Sequence, residues 1–336
     1  MSGPDDQDGG VVDEFDWIEQ CLRPLADAPE ALGLLDDAAV VPSRPGFDLV
    51  ITKDAIVEGV HFLASDPLDL VARKLLRVNL SDLAAKGAEP YGYFLAVAWA
   101  AGGGWDARRA FVQGLRQDQD TFGLKLFGGD TVSTPGPFTA SATLLGWVPA
   151  GEMIRRRGAK VGDVVLVTGT IGDGGLGLNA ARGEGSGLSS AEEAWLKARY
   201  QTPDPRLGLG EAMRRLAHAA ADVSDGLIAD AGRIATASEV RITLDLDRVP
   251  LSAPAGAWLS AQSDPLAARL NLAAAGDDYE VLCTAPASAA APLKAAAEAL
   301  GFAMTEVGVV GAGSGVGATS GGREVTVVNS GWRHGQ

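Results

Sequence analysis

An α/β protein of two domains is what this sequence predicts, on three observations. At 336 residues the chain exceeds one ordinary domain, for which about 150 residues is the working size. Apolar strand-like runs alternate with helically periodic segments over short connections in both halves, the pattern of mixed α/β layers, with antiparallel strands expected chiefly in the first half. Around Pro149 to Gly162 the texture changes to a basic, glycine-containing connector, which places a domain boundary there. The expected division is a disordered tail over 1–12, an N-terminal domain over 13–149 and a C-terminal α/β domain over 150–336.

Phe15, Ile18, Leu22 and Leu25 recur at helical spacing before Pro29. In Leu35-Asp36-Asp37-Ala38-Ala39-Val40-Val41, paired acids enter a short apolar strand. A second strand, Leu49 to Thr52, runs into Lys53-Asp54, and His61 follows shortly after. The best-signalled helix starts at Asp66, where an N-cap Asp is followed by Pro67 at the first helical position and by Asp69. Leu68, Val71, Ala72, Leu75 and Leu83 put one stripe of it in a core, and Gly87 and Pro90 stop it. Asp82 is out of place near its end, where carbonyl dipoles disfavour a carboxylate by about 0.3–1 kcal/mol. Something positive is expected beside it, either Lys86 or a bound cation.

Next come a strand from Tyr93 to Trp99, a helix from about Asp106 to Phe122, a strand Leu124 to Phe127 emptying into Gly128-Gly129-Asp130-Thr131, and a strand Thr139 to Val148. The second half opens with strand Val164 to Val167 and a glycine-rich loop, G-T-I-G-D-G-G-L-G-L, entering a helix. Helices near Ser190–Tyr200 and Arg206–His218 follow, then Ala221 to Leu227 leading into another. Strand Val240 to Leu246, a loop with Pro250 and Pro254, helix Pro265 to Ala275, Gly276-Asp277-Asp278-Tyr279-Glu280, strand Val281 to Thr284, a helix near Ala289–Leu300 and strand Met304 to Val310 complete the series. Gly311 to Gly322 is expected as loop.

With 46% hydrophobic and 21% charged residues the chain can bury sizeable cores. No apolar run reaches the roughly 18 residues of a membrane helix, and the acidic opening M-S-G-P-D-D-Q-D-G-G is unlike a signal peptide, so a soluble cytoplasmic protein without a membrane partner is expected. Cys21 and Cys283 read as core thiols of a reducing compartment. A net charge of −15 argues against nucleic acid as a partner, but not against small phosphorylated ligands bridged to carboxylates by divalent cations.

The acids provide the candidate site. Asp36 and Asp37, Asp54, Asp82, Asp130, Asp222 and Asp225, and Asp277 and Asp278 mostly stand at edges of apolar segments beside Gly, Ser or Thr. Asp favours turns and caps, which accounts for any one of them. As a set they suggest more. Two carboxylates at about 4 Å repel by roughly 1 kcal/mol in water and about 4 kcal/mol at an effective dielectric of 20, so a gathered cluster needs cations. Oxygen-only ligands without grouped His or Cys point to magnesium, whose usual service is phosphate chemistry. There is no G-x-x-x-x-G-K-[ST] loop and no H-R-D or D-F-G set. G-T-I-G-D-G-G could cradle a phosphate or simply allow tight strand-to-helix packing, and Arg155-Arg156-Arg157 could hook an anion or form a solvated turn.

Together, T-K-D-A-I-V-E-G-V-H-F-L, V-N-L-S-D-L-A-A-K-G-A-E-P, G-G-D-T, R-R-G-A-K-V-G-D-V-V-L-V-T-G, V-S-D-G-L and G-D-D-Y-E resemble, in order and spacing, the thiamine-monophosphate kinases. The match runs from about Leu35 to Val310. L-V-T-G and S-D-G-L are shared with aminoimidazole ribonucleotide synthetase, selenophosphate synthetase and the hydrogenase maturation dehydratase, but the reactive cysteines of the last two have no counterpart here. The resemblance implies a two-domain aminoimidazole ribonucleotide synthetase-like fold. It also implies ATP-dependent phosphorylation of thiamine monophosphate by direct in-line transfer, with several magnesium ions, in a homodimer formed through the N-terminal halves. The alternatives are another ATP-dependent synthetase of the superfamily or a non-catalytic nucleotide-binding relative.

Carried over by position, the resemblance puts magnesium ligands at Asp37, Thr52, Asp54, Asp82, Asp130, Asp222 and Asp225, and at Lys53 either through its main-chain carbonyl or with its ammonium in a cation's place. It puts ATP contacts at Gly129, Asp130, Arg156 and Ser224, and acceptor contacts at His61, Asp277 and Trp332, the last as a latch or as a stacking lid. Leu35 stands where the family has Gly, Lys53 where it has Thr, and Asp277 where it has Glu. No side chain is expected to act as acid or base, because a phosphate monoester with a second pKa of about 6 is already largely dianionic at neutral pH. Asp82 and Asp130 are expected to act electrostatically.

Overall fold

The computed structural model describes residues 13–101 and 103–332, so the expected tail over 1–12 lies outside the described residues. By its own contacts the chain divides into two compact units. One comprises the described residues of Met1–Pro45, Ile51–Asn79 and Pro90–Gly146, the other those of Gly46–Val50, Leu80–Glu89 and Trp147–Gln336.

In the first half, helix α1 (Glu14–Trp17) continues through a π turn, Ile18–Leu22, and a 3-10 turn, Arg23–Leu25. Its inward stripe is Trp17, Cys21 and Leu25, while Phe15, expected inside, is 77% exposed. The widened π turn shifts the periodicity that a straight helix would have kept. The strand expected over Ala38 to Val41 does not form; those residues are irregular and Val40 is exposed. Strands β1 (Phe47–Val57), β2 (Glu89–Ala100), β3 (Leu126–Thr134) and β4 (Thr139–Pro149) make a four-stranded sheet in the order β1-β4-β2-β3. β2 and β3 run parallel.

Helices α2 (Leu68–Ala85) and α3 (Trp105–Phe122) belong to the same half. α2 is more deeply buried than a one-stripe helix: every residue from Lys74 to Ser81 is buried. A helix apolar on one stripe only cannot do this, and its polar residues are accordingly tied down. The Arg77 guanidinium forks onto both oxygens of Asp118 on α3, at 2.7 and 3.0 Å, and Arg73 adds a third bond at 3.2 Å. Gly87, with φ of +67°, ends the helix as expected.

The second half is built on a seven-stranded sheet. Its strands are β5 (Asp163–Thr168), β6 (Ala219–Val223), β7 (Arg241–Asp245), β8 (Glu280–Pro286), β9 (Met304–Gly311), β10 (Gly315–Ser320) and β11 (Arg323–Val325), in the order β11-β10-β7-β9-β5-β8-β6. Its described pairings are antiparallel except β7 with β10, although antiparallel strands were expected chiefly in the first half. β10 also replaces much of the loop expected over Gly311 to Gly322, and β11 follows it. Glycine lowers strand propensity, but here Gly317 packs against Arg241 where a Cβ would lie 2.5 Å from the guanidinium.

The helices of this half among the described residues are α4 (Asp173–Ala181), α5 (Ser190–Gln201), α6 (Gly210–Leu216), α7 (Leu227–Ser238), α8 (Ala253–Ser260), α9 (Pro265–Ala274) and α10 (Ala290–Ala299). α8 occupies the span expected as a proline loop. Pro254 sits in its first turn, where a missing N–H does no harm, and Ser252 caps it through Ala255 N. Val165, Val167, Leu227, Ile234 and Leu282 lie in one apolar core, and Leu166, Met213, Val281 and Leu293 in another.

Candidate active site

The acids expected at strand-end turns are of two kinds. Asp54 lies within β1 and Asp130 within β3, because both strands run further than their apolar runs suggest. Backbone pairing extends them: Leu95 faces Gly129 and Ala96 faces Asp130 across the β2–β3 ladder. A Cβ at Gly129 would stand 1.7 Å from the Leu95 carbonyl oxygen, so glycine is required where the strands press together. Asp130 remains exposed beside it. The Asp54 N–H donates to Asn79 Oδ1 at 3.1 Å, and its carbonyl accepts from Ser141 Oγ at 2.9 Å. Asp37 and Lys53 are exposed, and Thr52 is half-buried.

His61 is held by the main chain. Its Nδ1 accepts the Val57 N–H at 3.1 Å, so the neutral ring carries its proton on Nε2, and Lys74 Nζ donates to the His61 carbonyl at 3.1 Å.

Asp82, Asp222, Asp225, Arg156, Ser224, Asp277 and Trp332 belong to the other unit. Asp222 is buried near the end of β6, and the Ser81 hydroxyl donates to its Oδ2 at 3.1 Å. Lys86 Nζ donates to the Ala220 carbonyl at 2.9 Å. Burial holds the Lys86 ammonium below its ordinary range, a direction reinforced by Arg156 and opposed by Asp222 and Asp82. Lys86 therefore lies in the field of Asp82 while its ammonium is bonded to the Ala220 carbonyl. Arg155, Arg156 and Arg157 are exposed, with the Arg155 carbonyl fixed by the Ala220 N–H and the Arg156 carbonyl by Ser238 Oγ.

Three loops of this unit meet. Ser224 and Asp225 donate their N–H groups to Asp230 Oδ2, and Arg233 pairs with both Asp225 and Asp230. The Asp277 N–H donates to the Ser224 carbonyl at 2.9 Å and the Tyr279 N–H to the Val223 carbonyl at 2.8 Å. The Trp332 N–H donates to the Asp225 carbonyl at 2.9 Å, which sets its half-exposed indole beside the same segment. Ser224, Asp225, Asp277 and Trp332 are thus brought together.

The glycine-rich loop does not present its N–H groups outward. Gly172 and Gly174 donate to the two oxygens of Asp278, at 2.7 and 2.9 Å, and Asp278 is fully buried. A Cβ at Gly174 would lie 2.4 Å from the Asp277 backbone, so packing explains these glycines. Burial, with a smaller push from Asp173, raises the Asp278 carboxyl well above the usual range, against the two N–H bonds. Next to it, Glu280 is fully buried and receives Thr168, Arg199 and Arg206. The flanking Asp277 and Tyr279 have φ of +68° and +51°. Non-glycine residues there carry about 1–3 kcal/mol of strain each, which the surrounding bonds must hold in place. Tyr279, Glu280, Arg199 and Arg206 were not singled out by sequence reasoning. Tyr279 and Glu280 left a signal only as members of G-D-D-Y-E, and Asp278 also as the second acid of a pair.

Among the described residues no group of three or more His, Cys, Asp or Glu is gathered into a metal centre. The full convergence of carboxylates expected from the sequence is therefore not found within either unit. The donor chemistry nonetheless fits a hard divalent ion, since the candidate donors are oxygens, and Asp222 is a buried carboxylate whose orientation is fixed by Ser81.

Residues 35–148 match the N-terminal domain of the AIR synthase related proteins and residues 160–320 their C-terminal domain. The thiamine-monophosphate kinase of Caulobacter vibrioides is 56% identical over 323 residues, which is 96% of this chain and 91% of that protein. The crystal structure of thiamine-monophosphate kinase from Stenotrophomonas maltophilia K279a superposes with a TM-score of 0.81 at 36% identity, covering 93% of this chain and 98% of that one. That of AaThiL complexed with AMPPCP and TMP gives 0.76 at 28% identity, covering 96% of each. With its two AIR synthase-related domains, the chain belongs to the thiamine-monophosphate kinase family.

Proposed function

We propose that this protein transfers the terminal phosphoryl group of ATP to the phosphate of thiamine monophosphate, forming thiamine diphosphate and ADP. The observation that carries the reading is the 56% identity to a thiamine-monophosphate kinase over 96% of the chain. The AaThiL complex with AMPPCP and TMP supports the pair of substrates.

Because the acceptor phosphate is already largely dianionic at neutral pH, no side chain need remove a proton. The obstacle is repulsion between two anions that must approach in line, so catalysis consists of positioning and charge compensation. Asp37, Thr52, Asp54, Asp82, Asp130, Asp222 and Asp225 would hold magnesium, together with the main-chain carbonyl of Lys53. When bound, the metal supplies positive charge that offsets the phosphates. Gly129, Asp130, Arg156 and Ser224 are assigned to ATP: a bare backbone allows close approach, an arginine offers a fork to phosphate oxygens, and a hydroxyl can donate. His61, Asp277 and Trp332 are assigned to the acceptor. The protein acts in the cytoplasm as a homodimer joined through its N-terminal halves. Both cysteines being free and buried supports the reducing compartment, and no helix among the described residues is long and apolar enough to cross a membrane.

Chromatographic detection of thiamine diphosphate from ATP, magnesium and thiamine monophosphate tests the reading. Product should form, should vanish with EDTA, and should fall at least about 100-fold with Asp130→Asn. Absence of product from the wild-type protein overturns it.

A further inference from the structure

The turn from Gly276 to Glu280 is built more rigidly than a loop connecting α9 to β8 requires. Asp277 and Tyr279 both adopt left-handed backbone conformations without being glycine. The carboxylate between them is fully buried and tied to two backbone N–H groups of the neighbouring glycine loop. Main-chain bonds from Asp277 to Ser224 and from Tyr279 to Val223 fix the turn on its other side. On this frame the Tyr279 hydroxyl donates to Asp277 Oδ1 at 3.2 Å, and both side chains are only half-buried. Strain retained by so many constraints marks a segment whose geometry serves a site.

We propose that Tyr279 is a positioning residue which orients the Asp277 carboxylate to accept a hydrogen bond from the exocyclic amino group of the acceptor's pyrimidine ring. This rests on the kinase reading and on Asp277 as an acceptor contact. A carboxylate is an acceptor only, and that amino group supplies the N–H donors of the thiamine moiety. The hydroxyl bond to Oδ1 restricts rotation of the carboxylate, so an aspartate too short to search for its partner is aimed at it beforehand. Specificity follows from the same geometry. An analogue with a keto oxygen in place of the amino group would leave the carboxylate facing another acceptor.

The test compares Tyr279→Phe, Asp277→Asn and the double variant with the wild-type enzyme, using thiamine monophosphate and oxythiamine monophosphate, which carries the keto group. Tyr279→Phe should raise KM for thiamine monophosphate about tenfold with KM for ATP unchanged, the loss of one hydrogen bond to a charged group. It should add little in the Asp277→Asn background and little for oxythiamine monophosphate. Where turnover is too slow, calorimetric Kd values give the same comparison. An equal rise in KM for ATP, an undiminished effect in the Asp277→Asn background, or the same fold-change with the keto analogue would each overturn the proposal. If the wild-type protein forms no thiamine diphosphate at all, it is the kinase reading that fails first.

Discussion

Asp173, at the start of α4, shows how a single buried acid is held and what that implies for pH. Its two oxygens accept from Ser252 Oγ and Thr170 Oγ1, each at 2.5 Å, and it has no exposed surface. Burial raises its carboxyl above the ordinary range, opposed by those hydroxyls and by Arg199, with Glu280 adding to the rise. A folded-state pKa above the unfolded value of about 3.9 means that the protonated form is favoured by folding. Its stabilising contribution is complete below about pH 4 and is lost as pH rises through the folded value. Asp173→Asn removes that titration. In urea unfolding, the deficit of the variant relative to wild type should therefore be larger at pH 4 than at pH 7; an equal deficit at both would contradict the assignment. Nothing in the motif G-T-I-G-D-G-G distinguishes this acid from a phosphate-loop aspartate, since its partner Ser252 lies 79 residues away.

At the scale of elements, the joint between α2 and α3 contains a buried carboxylate shared by two arginines. Asp118 is fully buried and accepts from both Arg77 and Arg73, while Arg77 also stacks on Phe122 at 5.2 Å. Removing one partner of such a pair leaves an uncompensated charge in a dry interior, a loss of about 3–5 kcal/mol. Asp118→Ala should lower the unfolding free energy by that amount, whereas Asp118→Asn, which keeps the shape and some hydrogen bonding, should lose less; the two are compared by denaturant titration. The helices themselves were legible from periodicity and stop signals, although α2 begins at Leu68 and not at the expected Asp66 cap, whose carboxylate accepts the Leu63 N–H at 2.8 Å. The depth of α2 was not, because Lys74, Arg77, Asn79 and Ser81 are polar and lie off the apolar stripe that periodicity marks. Only their partners in space make them interior residues. β10 and β11 escaped notice for a related reason: glycine-rich segments pair as strands when a neighbouring edge accepts them, whatever their propensity.

For the molecule as a whole, homodimerisation through the N-terminal half is the prediction that surface composition supports. Ile51 on β1 and Val132 on β3 are 61% and 51% exposed, on strands of one sheet. They stand on the two edge strands of that sheet, where the dimer implied by the family resemblance would cover them. Sedimentation should give a dimer, and Ile51→Lys combined with Val132→Lys should shift it towards monomer. A wild-type protein that sediments as a monomer at micromolar concentration would remove this part of the reading.

The sequence by itself determined the class of fold, the order of most helices and strands, and the family, because those depend on local periodicity, capping and short motifs whose residues are neighbours along the chain. Asp82, Asp130 and Asp277 were marked out in the same way. Tertiary structure alone decided that the glycine-rich loop encloses Asp278, that Ser81 orients Asp222, and that Trp332 lies against Asp225. Each of these joins residues far apart in sequence, and a buried hydrogen bond depends on distance and desolvation, which linear spacing does not record.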